Sequence, residues 1–187
     1  MSKNKKTLLV VLVTVALLLG GAMLMVQQAD AAVPGDFLYG VDRAYESFQR
    51  GIRFSDEAKA DFELELLSER MSELDEVSKN DEDLVDEAVE NLDDQRVRTE
   101  ECVREMEDNE NSDEGELERI RNRYEEEVQD QYENMEQVQE KVQNNGDESQ
   151  IETVNKVMEN YKKEVDSFGN GSQNKQNDNG KGNSGSD

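Results

Sequence analysis

The 187-residue sequence has no histidine, no tryptophan, one cysteine and one proline. Without histidine it lacks the side chain that most often serves as a general base near neutral pH, and the commonest nitrogen ligand for zinc. The lone thiol, Cys102, excludes an internal disulfide, so any bridge would join two chains. It reads as a small, half-buried helical side chain. Aromatic residues make up 5% and hydrophobic residues 34%, which is too little for a thick sheet-on-sheet core. Nowhere does an alternating apolar pattern of the strand type compete with helical spacing.

What is abundant is charge of one sign. Asp and Glu number 46 against 21 Lys and Arg, for a net charge of −25. Residues 1–31 hold Lys3, Lys5, Lys6 and Asp30, so the remainder is more acidic still, at −27. Such a surface repels nucleic acid and anionic lipid. It suits a solvated, salt-tolerant exterior, or faces that gather divalent cations weakly.

The N-terminus supplies an address. Lys3, Lys5 and Lys6 precede a run from Thr7 to Val26 that contains no charged residue, and Ala29-Asp30-Ala31 gives the small-x-small pattern of a signal-peptidase site. The run has about 20 residues, enough to cross a bilayer. Residues 1–31 are therefore a signal peptide cleaved after Ala31 or a retained single-span anchor. Both place the chain from about residue 32 outside the cytoplasm. No cysteine lies near the cleavage region to carry a lipoprotein anchor.

Beyond the address the pattern is helical throughout. Pro34-Gly35-Asp36 marks a turn, with Asp36 as expected N-cap of a helix over about 36–53 whose apolar face is Leu38, Val41, Tyr45, Phe48 and Ile52. A second helix, about 56–79, follows the cap Ser55-Asp56-Glu57 and carries Ala60, Leu64, Leu67, Met71 and Leu74, with Phe62, Leu66 and Val77 beside them. A third, about 81–108, carries Val85, Ala88, Leu92, Thr99, Val103 and Met106, a seam interrupted around Gln95 and Arg96. After the polar run 108–112, Asp113 and Glu116 form a capping box for a fourth helix, about 113–144, through Leu117, Ile120, Tyr124, Val128, Met135, Val138 and Val142. A fifth, about 148–168, carries Ile151, Val154, Met158, Tyr161, Val165 and Phe168 and is expected to stop at Gly169.

These elements predict an all-α protein, an elongated helical bundle or set of hairpins with coiled-coil-like seams behind an N-terminal hydrophobic helix. Two regions are expected, a three-helix domain over 32–109 and a helical hairpin over 113–168. The long fourth helix offers a seam for a second copy. Residues 169–187 hold five Gly, five Asn, three Ser and two Gln, a composition that predicts a disordered tail. Asn170-Gly171-Ser172 within it is a candidate glycosylation site at Asn170.

The start of the first helix has a specific character. Pro34-Gly35, Leu38-Tyr39, Arg43 and Glu46 resemble the opening of domain-of-unknown-function family 5667, which begins just after an export signal with Pro-Gly, then Leu-Tyr, a basic pair and a Glu. Asp42 stands where the family usually has the first base of that pair. The likeness continues through Ala58-Lys59-Ala60 and the run from Glu65 to Met71, covering about 32–80. It implies an extracytoplasmic helical domain, often membrane-associated, with no assigned activity. Physically, the motif reads as a helix start with an i, i+3 ion pair between Arg43 and Glu46 rather than as a ligand site.

No template for catalysis fits. Aligning Gly115 with the invariant glycine of a calcium loop puts Glu110 at position one but Arg121 at position twelve, where a carboxylate is required. There is no phosphate-binding glycine loop, no nucleophile elbow and no basic patch interleaved with aromatics. Arg96, Arg98, Arg104, Arg119, Arg121 and Arg123 read as a solvated face paired with acids on their own helices. The expectation is a non-enzymatic, extracytoplasmic structural or interaction module of the cell envelope, without catalytic residues, cofactor or nucleic-acid partner. Its expected partners are the membrane through an uncleaved N-terminal helix, and a second copy or another envelope protein. The alternative is a weak divalent-cation binder using runs such as Asp81-Glu82-Asp83 and Glu125-Glu126-Glu127.

Overall fold

The structure, a computed structural model, describes residues 32–36 and 38–178, with side chains as far as Phe168. The expected signal or anchor segment 1–31 and the tail beyond 178 lie outside the described residues. Among the described residues the chain is all helix: α1 (Tyr39–Gly51), α2 (Asp56–Asn80), α3 (Val85–Asp108) after a short 3-10 turn at Glu82–Leu84, α4 (Glu114–Asn145) and α5 (Glu148–Asp178). None of these is long and apolar enough to cross a membrane.

Among the described residues, backbone contacts divide the chain into two compact units, one ending at Ile52 and the other beginning at Arg53. The contact-based division differs from the three-helix and two-helix regions expected from sequence. The break falls after α1, and α2 to α5 form one unit, because the stripes of α4 and α5 are completed by those of α2 and α3. Hydrogen bonds fix the topology of that unit. Gln95 on α3 donates to the Glu63 carbonyl on α2 (3.0 Å), and Asn109 at the end of α3 donates to Asp56 at the start of α2 (2.9 Å), so these helices run antiparallel. Tyr161 donates to Gln131 (2.6 Å) and Gln139 to Asn155 (2.6 Å), so α4 and α5 are antiparallel too. Between the hairpins, Asp61 meets Arg119 and Arg123 while Ser78 meets Lys141, which sets α2 parallel to α4. Asp86 meets Ser149 and Asp93 meets Asn160, which sets α3 parallel to α5. Two antiparallel hairpins thus lie side by side with equivalent helices in contact.

The stripes named from sequence fill the interior. Ala60, Leu64, Leu67 and Leu74 on α2, Val85, Ala88, Leu92 and Met106 on α3, Ile120, Val128, Met135 and Val138 on α4, and Val154 and Tyr161 on α5 are all buried. The stripe of α4 is covered inside this unit, so it is not left open as a seam for a second copy. Helix ends are set locally. Ser55 accepts from the Ala58 amide (3.2 Å), and Asp113 accepts from the amides of Gly115 and Glu116 (3.0 Å each). The reciprocal half expected of Glu116 is absent, because its carboxylate pairs with Arg119 instead (2.7 Å). A full capping box stands at α5, where Asp147 accepts from the Gln150 amide and the Gln150 side chain accepts from the Asp147 amide (3.0 Å each). Between α4 and α5 the chain needs Gly146, since a β-carbon there would sit 2.7 Å from the Val142 carbonyl oxygen.

Two further expectations are corrected. Asp36 does not cap α1; it closes a turn, donating its amide to the Val33 carbonyl (3.0 Å) and accepting from the Val33 amide (3.2 Å). Helix α1 starts at Tyr39 with Leu38 preceding it and no side-chain cap. At the other end, α5 does not stop at Gly169 but runs to Asp178. Extending a helix that is already nucleated adds one backbone bond per residue, and no proline follows Pro34 to stop it.

Candidate functional site

The residues singled out at the start of α1 come together. Pro34 and Gly35 occupy the centre of the Val33–Asp36 turn, with Gly35 at φ 95°, the left-handed geometry that a type II turn demands at its third residue. Arg43 donates to Glu46 (3.1 Å), Arg50 lies 3.8 Å from the same carboxylate, and the Arg43 guanidinium stands 5.9 Å from the centre of the Tyr39 ring. Tyr39, Arg43, Glu46 and Arg50 therefore form one ladder at steps of four, three and four along a single helix face. Glu46 is buried, as is Asp42. Leu38 is half-buried.

The apolar face on the opposite side of α1 breaks expectation. Val41, Phe48 and Ile52 are exposed at 39%, 62% and 49%, where a buried stripe was expected. Helical spacing identifies an apolar face but says nothing of what covers it.

Within the four-helix unit, polar side chains occupy the middle of the core. Gln95 and Thr99 both donate to the Glu63 carbonyl (3.0 and 3.1 Å), and Gln95 also reaches the Glu63 carboxylate (2.7 Å). Gln131 donates to the Leu67 carbonyl (3.0 Å) and accepts from Tyr161. Arg96 joins three helices: it bonds Asp93 on its own helix (3.0 Å) and Glu164 on α5, and Glu164 in turn accepts from the Tyr124 hydroxyl on α4. Gln95 and Arg96 are the interruption noted in the third seam. They are buried members of it rather than a defect.

Electrostatics explain why these groups hold. Burial works against the Arg96 charge, but Glu164 and Asp93 outweigh it and keep the guanidinium above its ordinary value. Burial pushes Glu164 above the usual carboxylate range, against the pull of the Tyr124 hydroxyl and of Arg96. Burial, and then the Glu164 charge, raise the Tyr124 hydroxyl, while burial chiefly raises Tyr161. Each perturbed group is thus the partner of another. Cys102 is half-buried as expected, and burial together with Glu63 and Glu105 pushes its thiol up to about 11. At neutral pH it is a protonated, weak nucleophile.

A groove of about 230 Å³ reaches this cluster, lined by Tyr124, Glu164, Phe168, Arg104 and Arg121 among others. Phe168 packs edge-on against Tyr124 with ring centres 6.0 Å apart. The groove mixes cations and carboxylates that already pair, as Arg121 does with Glu107. Its lining holds four carboxylates, Glu100, Glu107, Glu125 and Glu164, against Arg104 and Arg121.

The family profile described as a domain of unknown function, DUF5667, matches residues 31–179. This chain belongs to the DUF5667 family. The match spans α1 and all four helices of the second unit, well past the 32–80 segment that carries the resemblance in sequence. Comparison with curated proteins and with solved structures finds no match.

In this DUF5667 chain the expected site residues divide into three groups. Pro34, Gly35, Leu38, Tyr39, Arg43 and Glu46 gather at one helix start. The acidic run Asp81-Glu82-Asp83 is exposed at the α2–α3 corner, and Glu125-Glu126-Glu127 lies on the partly exposed side of α4. Asn170 falls within α5, beyond the described side chains. The arginine cluster is corrected in part: Arg98 and Arg104 are exposed, and Arg96 and Arg119 pair with Asp93 and Glu116 on their own helices, but Arg96 is buried, Arg119 and Arg123 also cross to Asp61, and Arg121 crosses to Glu107. Gln131, Arg70 and Glu73 were not singled out. Arg70 is fully buried and bonds Glu73 one turn on. For Gln131 a signal existed, since the seven-residue gap between Val128 and Met135 leaves one core position to a polar side chain.

Proposed function

We propose that this DUF5667 chain is a non-enzymatic structural or protein-interaction module of the cell envelope, held outside the cytoplasm by residues 1–31 as a retained span or released after Ala31. One observation carries the reading: three polar groups perturbed by burial, Arg96, Glu164 and Tyr124, bond to one another and join three helices. A catalytic site keeps such groups aimed at substrate. Here the same chemistry supports a rigid body. Its partner, a second copy or another envelope protein, is met on outer faces, because the seams of α2 to α5 are filled.

Fractionation of cells followed by mass analysis of the chain tests the location. The retained-anchor form predicts a membrane-bound chain with its N-terminus upstream of Ala32, and the released form a soluble chain starting at Ala32. A cytoplasmic chain with Met1 or Ser2 at its start would sink the proposal.

The second reading, weak binding of divalent cations, draws support from the exposed carboxylates of Asp81, Glu82 and Asp83. Calcium titration by calorimetry separates the two. Heat that saturates at a fixed stoichiometry favours the cation binder, and salt-like screening favours the structural module.

A further inference from the structure

Helix α1 has a polar face that is internally bonded and an apolar face that is exposed. At 100° per residue, Tyr39, Arg43, Glu46 and Arg50 lie on one side, and Val41, Tyr45, Phe48 and Ile52 on the opposite side. Three of these four apolar side chains are exposed, and Phe54, which follows in sequence, is 90% exposed. Leaving such a face in water costs free energy in proportion to its area, so an occupant that covers it is favoured.

The preceding sequence says which occupant. Twelve residues separate the uncharged run Thr7–Val26 from Tyr39. Twelve residues span at most ~40 Å, and the Val33–Asp36 turn shortens that reach. A helix tethered so closely to a span meets the bilayer surface at high effective concentration, so a modest apolar area suffices to hold it there. A second copy is the weaker occupant. Stable protein interfaces engage about 20–30 residues a side, whereas α1 has 13 residues and offers one face. Charge agrees: between residues 32 and 52 three acids meet two bases, and Arg53 comes next, so this segment escapes the repulsion that the acidic remainder feels from lipid headgroups.

We infer that α1 is an interfacial helix, with Val41, Phe48 and Ile52 set into the headgroup boundary of the bilayer that residues 7–26 span. This rests on the retained-anchor form of the proposed location. It assigns the exposed face to lipid rather than to protein.

The sequence has no tryptophan, so F48W places a single indole on the face. The full 187-residue chain carrying F48W is reconstituted into phosphatidylcholine vesicles with or without brominated acyl chains and floated on a density gradient. V97W, at an exposed position on α3, serves as the comparison. The expected result is co-flotation, a blue-shifted F48W emission that loses about half its intensity to bromine, and an unquenched V97W. I52W repeats the reading in case F48W misfolds. Co-flotation with F48W and I52W as water-exposed as V97W overturns the inference while leaving the anchor intact. A blue shift without bromine quenching assigns the face to protein and also overturns it. Failure to float overturns both the inference and the anchored location on which it rests.

Discussion

Helix α1 and helix α2 carry the same kind of apolar spacing and reach opposite ends. The stripe Ala60, Leu64, Leu67, Met71, Leu74 is buried at every position, while Val41, Phe48 and Ile52 stand in solvent. The difference lies in what each helix has on its other faces. Helix α2 is lined on two sides by partners with complementary stripes, α3 and α4. On helix α1 the side opposite the exposed residues carries the ladder Tyr39–Arg43–Glu46–Arg50. Apolar periodicity specifies a face to be covered, and the rest of the chain decides whether protein covers it.

The comparison is tested hardest at the centre of the bundle. Removing one member of a buried ion pair leaves the other charge without compensation, so R96A is expected to lose about 3–5 kcal/mol in chemical denaturation. The double replacement R96M/E164L, which removes both charges, should recover most of that loss. A small effect of R96A would mean that the core there is open to water and resembles α1.

Next in size is a matched pair of apolar truncations. L67A should cost about 2–5 kcal/mol by removing a fully buried side chain, whereas F48S should change stability by less than about 0.5 kcal/mol, as exposed substitutions do. If the soluble chain lost comparable stability from both, α1 would have a protein-covered face and the contrast would fail.

The smallest effect concerns pH. The hydrogen bond from Arg119, aided by Arg123, holds Asp61 below its ordinary value of 3.8. A depressed folded value means that its contribution is present above about pH 3.8 and fades as pH falls through the folded value. Asp61 is half-buried and its partners Arg119 and Arg123 are more exposed, so D61N should cost less than about 1 kcal/mol at neutral pH and nothing in strong acid. Glu164 has the opposite sign. Its raised folded value means that stability declines as pH climbs above about 4.5, and E164Q should flatten that decline. Denaturation midpoints of the three chains across pH check both.

Sequence spacing made most of the interior legible, because a helix that buries one stripe must repeat it every three or four residues. Ser55 and Asp113 could be read as caps because their chemistry is local. The polar core could not be read in the same way. Gln95 and Arg96 look like an interruption in α3 alone, and only the arrival of Glu63 from α2 and Glu164 from α5 makes them interior residues. The arginines of α4 were legible only in part: Arg119 pairs with Glu116 three residues before it as local spacing suggests, but Arg119, Arg121 and Arg123 also reach acids on other helices. The polar run 108–112 separates helices in sequence without separating their packing.

The bonded layer formed by Arg96, Glu164, Tyr124, Gln131 and Tyr161 also bears on how such a chain can change over time. An apolar contact tolerates replacement of one side at modest cost, but a buried ion or amide strands its partner when it is replaced alone. Sequence drift at positions 96 and 164, or at 131 and 161, is therefore constrained to coordinated steps. The exposed carboxylates around them are free to accumulate one at a time.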